Sequence, residues 1–248
     1  MKTQKLTVPN KLSELTLGQY QKFNKILDKD PDLDFLRKKT VEIFCGVPLP
    51  EVDQYKFTSI VEVTEIINKM FEEKPKLIQR FEKNGTEYGF IPVLTDMTFG
   101  EFVDLDTLMS NWDTMNDAMG VLYRKVKQKH KDQYLIEDYD SDKRENMKDM
   151  PLDVALGAIF FFAKFKERVS ETFGVLFTET SEKTVSTNEE ALGETFGWWT
   201  AFYQISKGDL TKYEEISRLN YSACLTWLSF EKQKTEIEMK KIKNAKQS

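Results

Sequence analysis

The chain has 248 residues, of which 40% are hydrophobic and 31% charged, and it contains 18 Phe, 9 Tyr and 4 Trp. This composition excludes wholly disordered and collagen-like proteins and suffices for a hydrophobic core. The net charge of −5 provides no overall basic field, so neither nucleic acid nor an anionic membrane is an expected partner.

Three helices are predicted in the first third of the chain. Thr16 and Gln19 have capping-box spacing at the start of an apolar repeat that runs to about Asp30. A second apolar repeat ends at Gly46, just before two prolines, as expected of a helix C-terminus. The spacing of apolar residues predicts a third helix over residues 59–73.

A β-hairpin is predicted near residues 77–91. Two short segments, 77–83 and 86–91, flank Asn84-Gly85. This dipeptide is suited to a two-residue hairpin turn because both positions accept positive φ.

A short motif occurs twice. Residues 15–20 and 97–102 share the order apolar, Thr, apolar, Gly, Gln or Glu, aromatic. Each copy predicts a capped helix start. The repetition indicates either a duplicated helical unit or independent convergence on a good cap.

The middle of the chain predicts one more helix, a loop and a long apolar helix. We expect a helix over 115–126 and a polar loop over 127–149. Pro151 is suited to the first position of a helix that continues through Phe177. Three consecutive phenylalanines, residues 160–162, cover more than half of its circumference, so it lies centrally in a core or offers an apolar face to a partner.

The last third predicts a linker followed by two helices. Residues 179–190 have the composition of a linker, and Asn188 caps a helix that ends near Lys207. From Thr211 to about Asn244 there is no Gly or Pro, which predicts one long helix. Its first half carries an apolar stripe, whereas its second half is mostly Lys and Glu and is expected to project, either as a solvated terminus or as a docking arm.

The predicted fold class is therefore mainly α: a multi-helix bundle with one β-hairpin and a long C-terminal helix. The predicted domains are a main helical domain over 1–178 and a C-terminal helical pair over 191–248. The linker at 179–190 separates them, and the charged end of the second domain projects.

The residues of the common catalytic motifs are missing. His130 is the only histidine, and there is no Gly-rich phosphate loop, zinc motif or nucleophile elbow. Cys45 and Cys224 lie far apart in apolar patterns, which predicts buried thiols rather than a disulfide. We expect no enzyme activity and no cofactor; the remote alternative is an enzyme with a carboxylate-based site in a deep pocket.

One acidic loop resembles a calcium loop weakly. Its candidate ligands alternate along the chain and end where a calcium loop has its last ligand: Asp138, Asp140, Asp142 and Asp149. Lys143 stands where the loop requires Gly, and Asp149 replaces the bidentate Glu. A solvated loop screened by the basic run at 125–131 is the favoured interpretation, so we predict no metal site.

Four segments resemble a family of small proteins from tailed bacteriophages, including crAss-like phages, whose members occur among virion and tail-assembly genes. The segments are Phe90-Ile91-Pro92, Met97-Thr98-Phe99-Gly100-Glu101-Phe102-Val103-Asp104-Leu105-Asp106, Leu122-Tyr123-Arg124 and Met150-Pro151-Leu152-Asp153-Val154-Ala155-Leu156-Gly157-Ala158-Ile159-Phe160-Phe161. The resemblance covers about residues 90–177, with a looser likeness at 225–238.

The resemblance implies a non-enzymatic role in virion morphogenesis, such as that of a tail assembly chaperone. The alternative is a structural virion component: a neck or tail ring subunit or a packaged cargo protein. Other phage structural or tail proteins are the implied partners, and a homo-oligomer is compatible with both roles. The implied location is the host cytoplasm during assembly and, for a virion component, the particle.

Apolar helix faces are the expected docking surfaces for these partners. The residues predicted to make the contacts are Ile216, Leu219, Ala223, Trp227, Phe230, Ile237, Phe160 and Phe161.

Overall fold

A computed structural model describes residues 6–131, 133–177 and 196–247. In this part of the chain the protein is mainly helical, with a small four-stranded antiparallel sheet of order β1-β2-β3-β4. The helices, in chain order, are α1 Leu17–Leu27, α2 Leu33–Cys45, α3 Leu49–Val52, α4 Phe57–Met70, α5 Phe99–Leu108, α6 Met115–Leu122, α7 Leu152–Thr172, α8 Gly174–Phe177, α9 Trp198–Ser206, α10 Tyr213–Ser217 and α11 Tyr221–Gln247. The strands are β1 Arg80–Lys83, β2 Thr86–Phe90, β3 Tyr123–His130 and β4 Gln133–Ile136.

The chain divides into two compact units. Unit 1 comprises Met1–Pro92 and Leu108–Phe162, and unit 2 comprises Val93–Thr107 and Ala163–Ser248. The predicted linker at 179–190 lies outside the described residues, so the domain division derived from it stays a prediction.

The capping box at Thr16, the end of the second helix and the hairpin turn are confirmed in the first half of the chain, and the helix predicted over 59–73 is observed as Phe57–Met70. The hydroxyl of Thr16 accepts a hydrogen bond from the Gln19 backbone N–H, and the Gln19 side chain accepts one from the Thr16 N–H. α2 ends at Cys45, and the next residue, Gly46, has a φ of 69°, which explains why a glycine stands there. Asn84 and Gly85 both have positive φ, 52° and 74°, and join β1 to β2.

Two predictions for the middle of the chain are wrong. The helix expected over 115–126 ends at Leu122, and Tyr123 begins a strand that pairs with β2. The region expected to be a loop from residue 127 contains most of β3 and all of β4. Tertiary packing accounts for the difference: Tyr123 is buried, lies edge-on against Phe90 and donates a hydrogen bond to the Ile78 carbonyl.

Two long helices are also shorter than predicted. α7 ends at Thr172, and Phe173 separates it from the one-turn α8. The helix expected from Thr211 is interrupted between Ser217 and Tyr221, because the side chain of Asn220 caps a new helix by accepting from the Ser222 N–H at 2.9 Å. Just before this segment, the carboxylate of Asp209 accepts a hydrogen bond from the Thr211 N–H.

The repeated motif has the same backbone partner pattern in both copies. In unit 1, Thr16 forms an isolated antiparallel bridge with Pro151: the Leu17 N–H donates to the Met150 carbonyl, and the Leu152 N–H donates to Leu15. In unit 2, Thr98 bridges Asn220 in the same way: the Phe99 N–H donates to Leu219, and the Tyr221 N–H donates to Met97. Each bridge therefore joins the start of a short helix to the start of a long one.

The glycine of the repeated motif is explained by the same bridge. A Cβ atom at Gly18 would lie 3.1 Å from the Lys148 carbonyl oxygen, and one at Gly100 would lie 3.1 Å from that of Ser217. Lys148 and Ser217 each precede the bridge partner by three residues. Glycine thus permits the same close backbone approach in both units.

Candidate protein-interaction face

The start of α11 is fixed within unit 2 by backbone and side-chain hydrogen bonds. Besides the bridge to Met97 and Phe99, the Asn220 side-chain amide donates to the Thr95 carbonyl at 2.7 Å. Asn220 therefore satisfies the helix N-terminus and also attaches it to the segment that precedes α5. This attachment sets which faces of α11 turn inward and outward.

One face of α11 is buried in unit 2. Tyr221, Cys224, Leu225 and Leu228 follow the three- and four-residue steps of a helix face and are all buried. The ring of Tyr221 stacks on Phe102 at 5.2 Å and meets Phe165 edge-on at 5.7 Å. Burial raises the pKa of the Tyr221 hydroxyl above its ordinary value and raises that of the Cys224 thiol to about 11.

A second apolar face of α11 is exposed. Leu219, just before the helix, is 45% exposed, and Phe230 and Ile237 on the helix are 61% and 54% exposed. Ala223 is also exposed, and Trp227 is half-buried. Of the predicted contact residues in this region, only Ile216 belongs to the core. The predicted stripe thus coincides largely with the solvent-facing side, opposite the buried one.

Past Phe230 the helix carries further exposed apolar side chains. Met239 and Ile242 are both more than half exposed, and every residue from 237 to 245 is exposed. Lys240, Lys241 and Lys243 surround Ile242 in this segment. The end of α11 is therefore an exposed, basic helical segment that does not contribute to the core.

The phenylalanines of α7 divide between core and surface. Phe162 is buried, whereas Phe160 is 49% exposed and Phe161 is 36% exposed. Phe161 lies edge-on against Phe90 of β2, with ring centres 5.8 Å apart. Phe160 is thus the more accessible of the two predicted contact residues on α7.

Sequence reasoning missed a third exposed apolar group, on α9. Trp199 and Tyr203 are both 62% exposed, whereas Trp198 turns inward and donates from its indole nitrogen to Asp106 at 2.9 Å. Phe196, which precedes α9, and Leu210, which follows it, are also exposed. The available signal was that apolar side chains occur all around this helix, so one core cannot bury all of them.

The acidic loop does not assemble a metal site. Asp138 pairs with Lys127 at 3.2 Å, and Asp140 pairs with Lys143 at 2.7 Å. The hydrogen bond from the Lys143 ammonium holds the pKa of Asp140 below its usual value. Among the residues that the structure describes, no three His, Cys, Asp or Glu side chains are grouped to hold a metal ion.

The basic run at 125–131 is largely paired within unit 1. Lys125 lies 2.6 Å from Glu145, Lys127 pairs with Asp138, and Lys129 pairs with Glu87. Of the predicted acidic-loop residues, only Asp138 pairs with this run, whereas Asp140 pairs with Lys143.

A shallow surface cleft of about 540 Å³ lies between α1 and α2. Its charged lining is Lys22, Lys39 and Glu42, and the carboxylate of Glu42 is held by Lys39 at 2.5 Å.

In the described part of the chain, no helix is both long and apolar enough to span a bilayer.

Comparison with protein-family models, with curated proteins and with solved structures finds no match to this chain. The fold and the exposed faces therefore carry the functional argument, and the phage resemblance stays a prediction.

Proposed function

We propose that the protein acts without catalysis in the assembly of tailed-phage particles, through contacts with other polypeptides. The exposed apolar stripe of α11 carries this proposal. A helix that only stabilises its own fold needs one apolar face, and α11 already buries one. The stripe, defined as Leu219, Ala223, Trp227, Phe230 and Ile237, is exposed except at the half-buried Trp227, and its exposed side chains are suited to docking.

The phage assignment itself comes from the sequence resemblance over residues 90–177. An assembly factor must keep apolar side chains exposed, outside its own core, to bind the apolar surfaces of its clients. Exposed aromatic side chains are the groups that contribute most to such contacts. The exposed Phe160 and Trp199 offer additional surface of this kind.

Co-purification tests this proposal. Tagged wild type, Leu219→Asp and Phe230→Asp are each produced in phage-infected cells, and recovered particle proteins are quantified. Thr235→Asp is the matched control, because Thr235 is also exposed on α11 but lies on the opposite side from Phe230. We expect the stripe variants to lose the particle proteins and the control to retain them. Equal recovery with all variants, at unchanged helix content, would contradict the proposal.

Mass spectrometry of purified virions separates the two roles within this proposal. An assembly chaperone is absent from the finished particle, because it releases its client on polymerisation. A neck, tail ring or cargo protein is present in many copies, because its apolar faces are permanently buried against neighbours.

A further inference from the structure

Within unit 2, α7 and α8 run along the buried face of α11 in the same direction as that helix. The Tyr221 ring meets Phe165 of α7 edge-on at 5.7 Å, and the Lys232 ammonium donates to the Val175 carbonyl of α8 at 2.6 Å. The contact therefore advances ten residues along α7 and α8 while it advances eleven along α11. α8 then ends at Phe177, only two residues after this contact.

The same face of α11 continues past Lys232 as an exposed apolar surface. Met239 and Ile242 each lie 18 residues after a buried residue, Tyr221 and Cys224 respectively, which is about five full turns. Both therefore lie on the continuation of the buried face, opposite the stripe, yet they are 59% and 56% exposed. Lys243 follows Met239 by four residues and shares this face. We define Met239, Ile242 and Lys243 as the end face.

The chain leaves α8 next to the point where the end face begins. Residues 178–195, which lie outside the described part of the chain, connect Phe177 to Phe196. Shortly after Phe196, the Trp198 ring packs edge-on against Phe102, whose own ring stacks on Tyr221. The connection therefore starts level with the middle of α11 and finishes level with its beginning.

The connection is longer than this path requires. Lys232 and Tyr221 are about 17 Å apart along α11, a distance that about five extended residues cover, whereas 18 residues reach about 60 Å. Ile242 lies about 15 Å beyond Lys232. The connection can therefore extend to the end face and return to α9.

The charges of the connection and of the end of α11 are complementary. Residues 178–195 contain five glutamates and one lysine, and their apolar residues include Val185 and Leu192. Residues 239–248 contain four lysines and no acidic residue. The nearest acids on α11, Glu236 and Glu238, both precede Met239 and leave this positive charge unbalanced. Opposite net charges of −4 and +4 favour contact between the two segments.

Covalent attachment favours the connection over a second copy of the chain or another protein. Both of its ends are held in unit 2, close to α11. A segment tethered in this way meets its site at an effective concentration on the order of millimolar.

We propose that the end face of α11 binds residues 178–195 of the same chain, with glutamates of that segment against Lys243 and apolar side chains against Met239 and Ile242. The segment is thus an intramolecular ligand of the helix. This inference is independent of the proposed function, because the stripe lies on the opposite side of α11.

Site-specific photocrosslinking of the purified full chain tests the inference. p-Benzoylphenylalanine replaces Met239, the protein is irradiated, and the crosslinked peptide of the monomer-sized product is sequenced by mass spectrometry. We expect an internal crosslink to a peptide from residues 178–195. The matched control carries the same photoreactive residue in place of Lys241, on the opposite side of α11, and should give at least about fivefold less of this product. A positive control in place of Phe161 should crosslink to the segment around Phe90.

The glutamates supply a second readout at position 239. Replacing all five glutamates of residues 178–195 by glutamine should lower the crosslink yield about threefold or more, because it removes the charge attraction. The control variant replaces five exposed glutamates of unit 1 by glutamine, which changes the net charge equally and should leave the yield unchanged. These residues are Glu62, Glu65, Glu72, Glu73 and Glu82.

Several results would overturn the inference. One is a product at position 239 that joins two copies of the chain, or that joins a peptide from outside residues 178–195. Another is no product at position 239 while the Phe161 control reacts, or equal yields from positions 239 and 241. An unchanged yield after removal of the five glutamates, or an equal fall in the unit 1 control variant, would overturn it too.

Discussion

The two faces of α11 predict very different losses of stability for two truncations on the same helix. Leu225 is fully buried, with 0% of its surface exposed, whereas the side chain of Phe230 is mostly in water. We expect Leu225→Ala to destabilise the protein strongly and Phe230→Ala to leave it nearly unchanged, although phenylalanine is the larger side chain.

The magnitudes follow from burial. Truncating a buried leucine to alanine costs about 2–5 kcal/mol, from the lost transfer free energy and the cavity left behind. Full burial of a phenylalanine contributes about 1.5–3 kcal/mol, and Phe230 realises less than half of it. Alanine restores up to about 0.7 kcal/mol through its higher helix propensity. The net cost of Phe230→Ala is therefore about 0.5 kcal/mol or less.

Urea unfolding followed by circular dichroism at 222 nm measures both effects, with Thr235→Ala as the control for a change at an exposed position of α11. We expect the midpoint of Leu225→Ala to fall well below that of wild type and those of Phe230→Ala and Thr235→Ala to stay close to it. If Phe230→Ala costs as much as Leu225→Ala, the stripe belongs to a core, and the docking interpretation fails.

Three further changes test other contacts. Thr98→Ala removes the hydroxyl that accepts a hydrogen bond from the Glu101 N–H at 3.2 Å. It should lower the free energy of unfolding in urea by about 0.5–2 kcal/mol, and a smaller loss would contradict the capping role of Thr98. Gly157→Ala places a Cβ against the Lys76 backbone and should lower the free energy of unfolding by about 1–3 kcal/mol. The control Gly174→Ala, with nothing within 4 Å of its Cβ, should be neutral or slightly stabilising. Equal melting temperatures of the two variants would refute the close approach at Gly157. Burial raises the pKa of both Cys45 and Cys224 to about 11, so both thiols should react with a disulfide reagent at pH 8 far more slowly in the folded protein than in urea. The free energy of unfolding should also fall as the pH rises above the unfolded pKa of 9.0, because only the unfolded thiols ionise there. Equal reaction rates in the folded protein and in urea would contradict the burial.

Local chemistry made part of this fold predictable. Thr16 with Gln19 and Thr98 with Glu101 marked helix starts, and Asn84-Gly85 marked the hairpin turn, because each motif satisfies backbone groups within a few residues. Features that depend on distant partners were not predictable. Tyr123 extends as a strand because β2 and Phe90 lie beside it, and Asn220 interrupts the last helix because its amide also reaches Thr95.

The sequence predicted which apolar residues of α11 share a face but not whether that face points inward or outward. Helical spacing placed Ala223, Phe230 and Ile237 together, but periodicity cannot tell an inward face from an outward one when a helix has two. The buried face of Cys224, Leu225 and Leu228 has the same spacing and was not singled out. On α9, adjacent Trp198 and Trp199 take opposite roles because Asp106 and Phe102 are available to only one of them.

The most direct test of the docking role is hydroxyl-radical footprinting of the isolated protein and of the protein bound in its assembly complex. It reports side-chain exposure at Phe230 and Ile237, with Leu135, which is exposed on β4 in unit 1, as the internal reference. The account predicts that both stripe residues are oxidised readily in the isolated protein and are protected in the complex, while Leu135 is unchanged. Equal oxidation of Phe230 and Ile237 in the two states would contradict it.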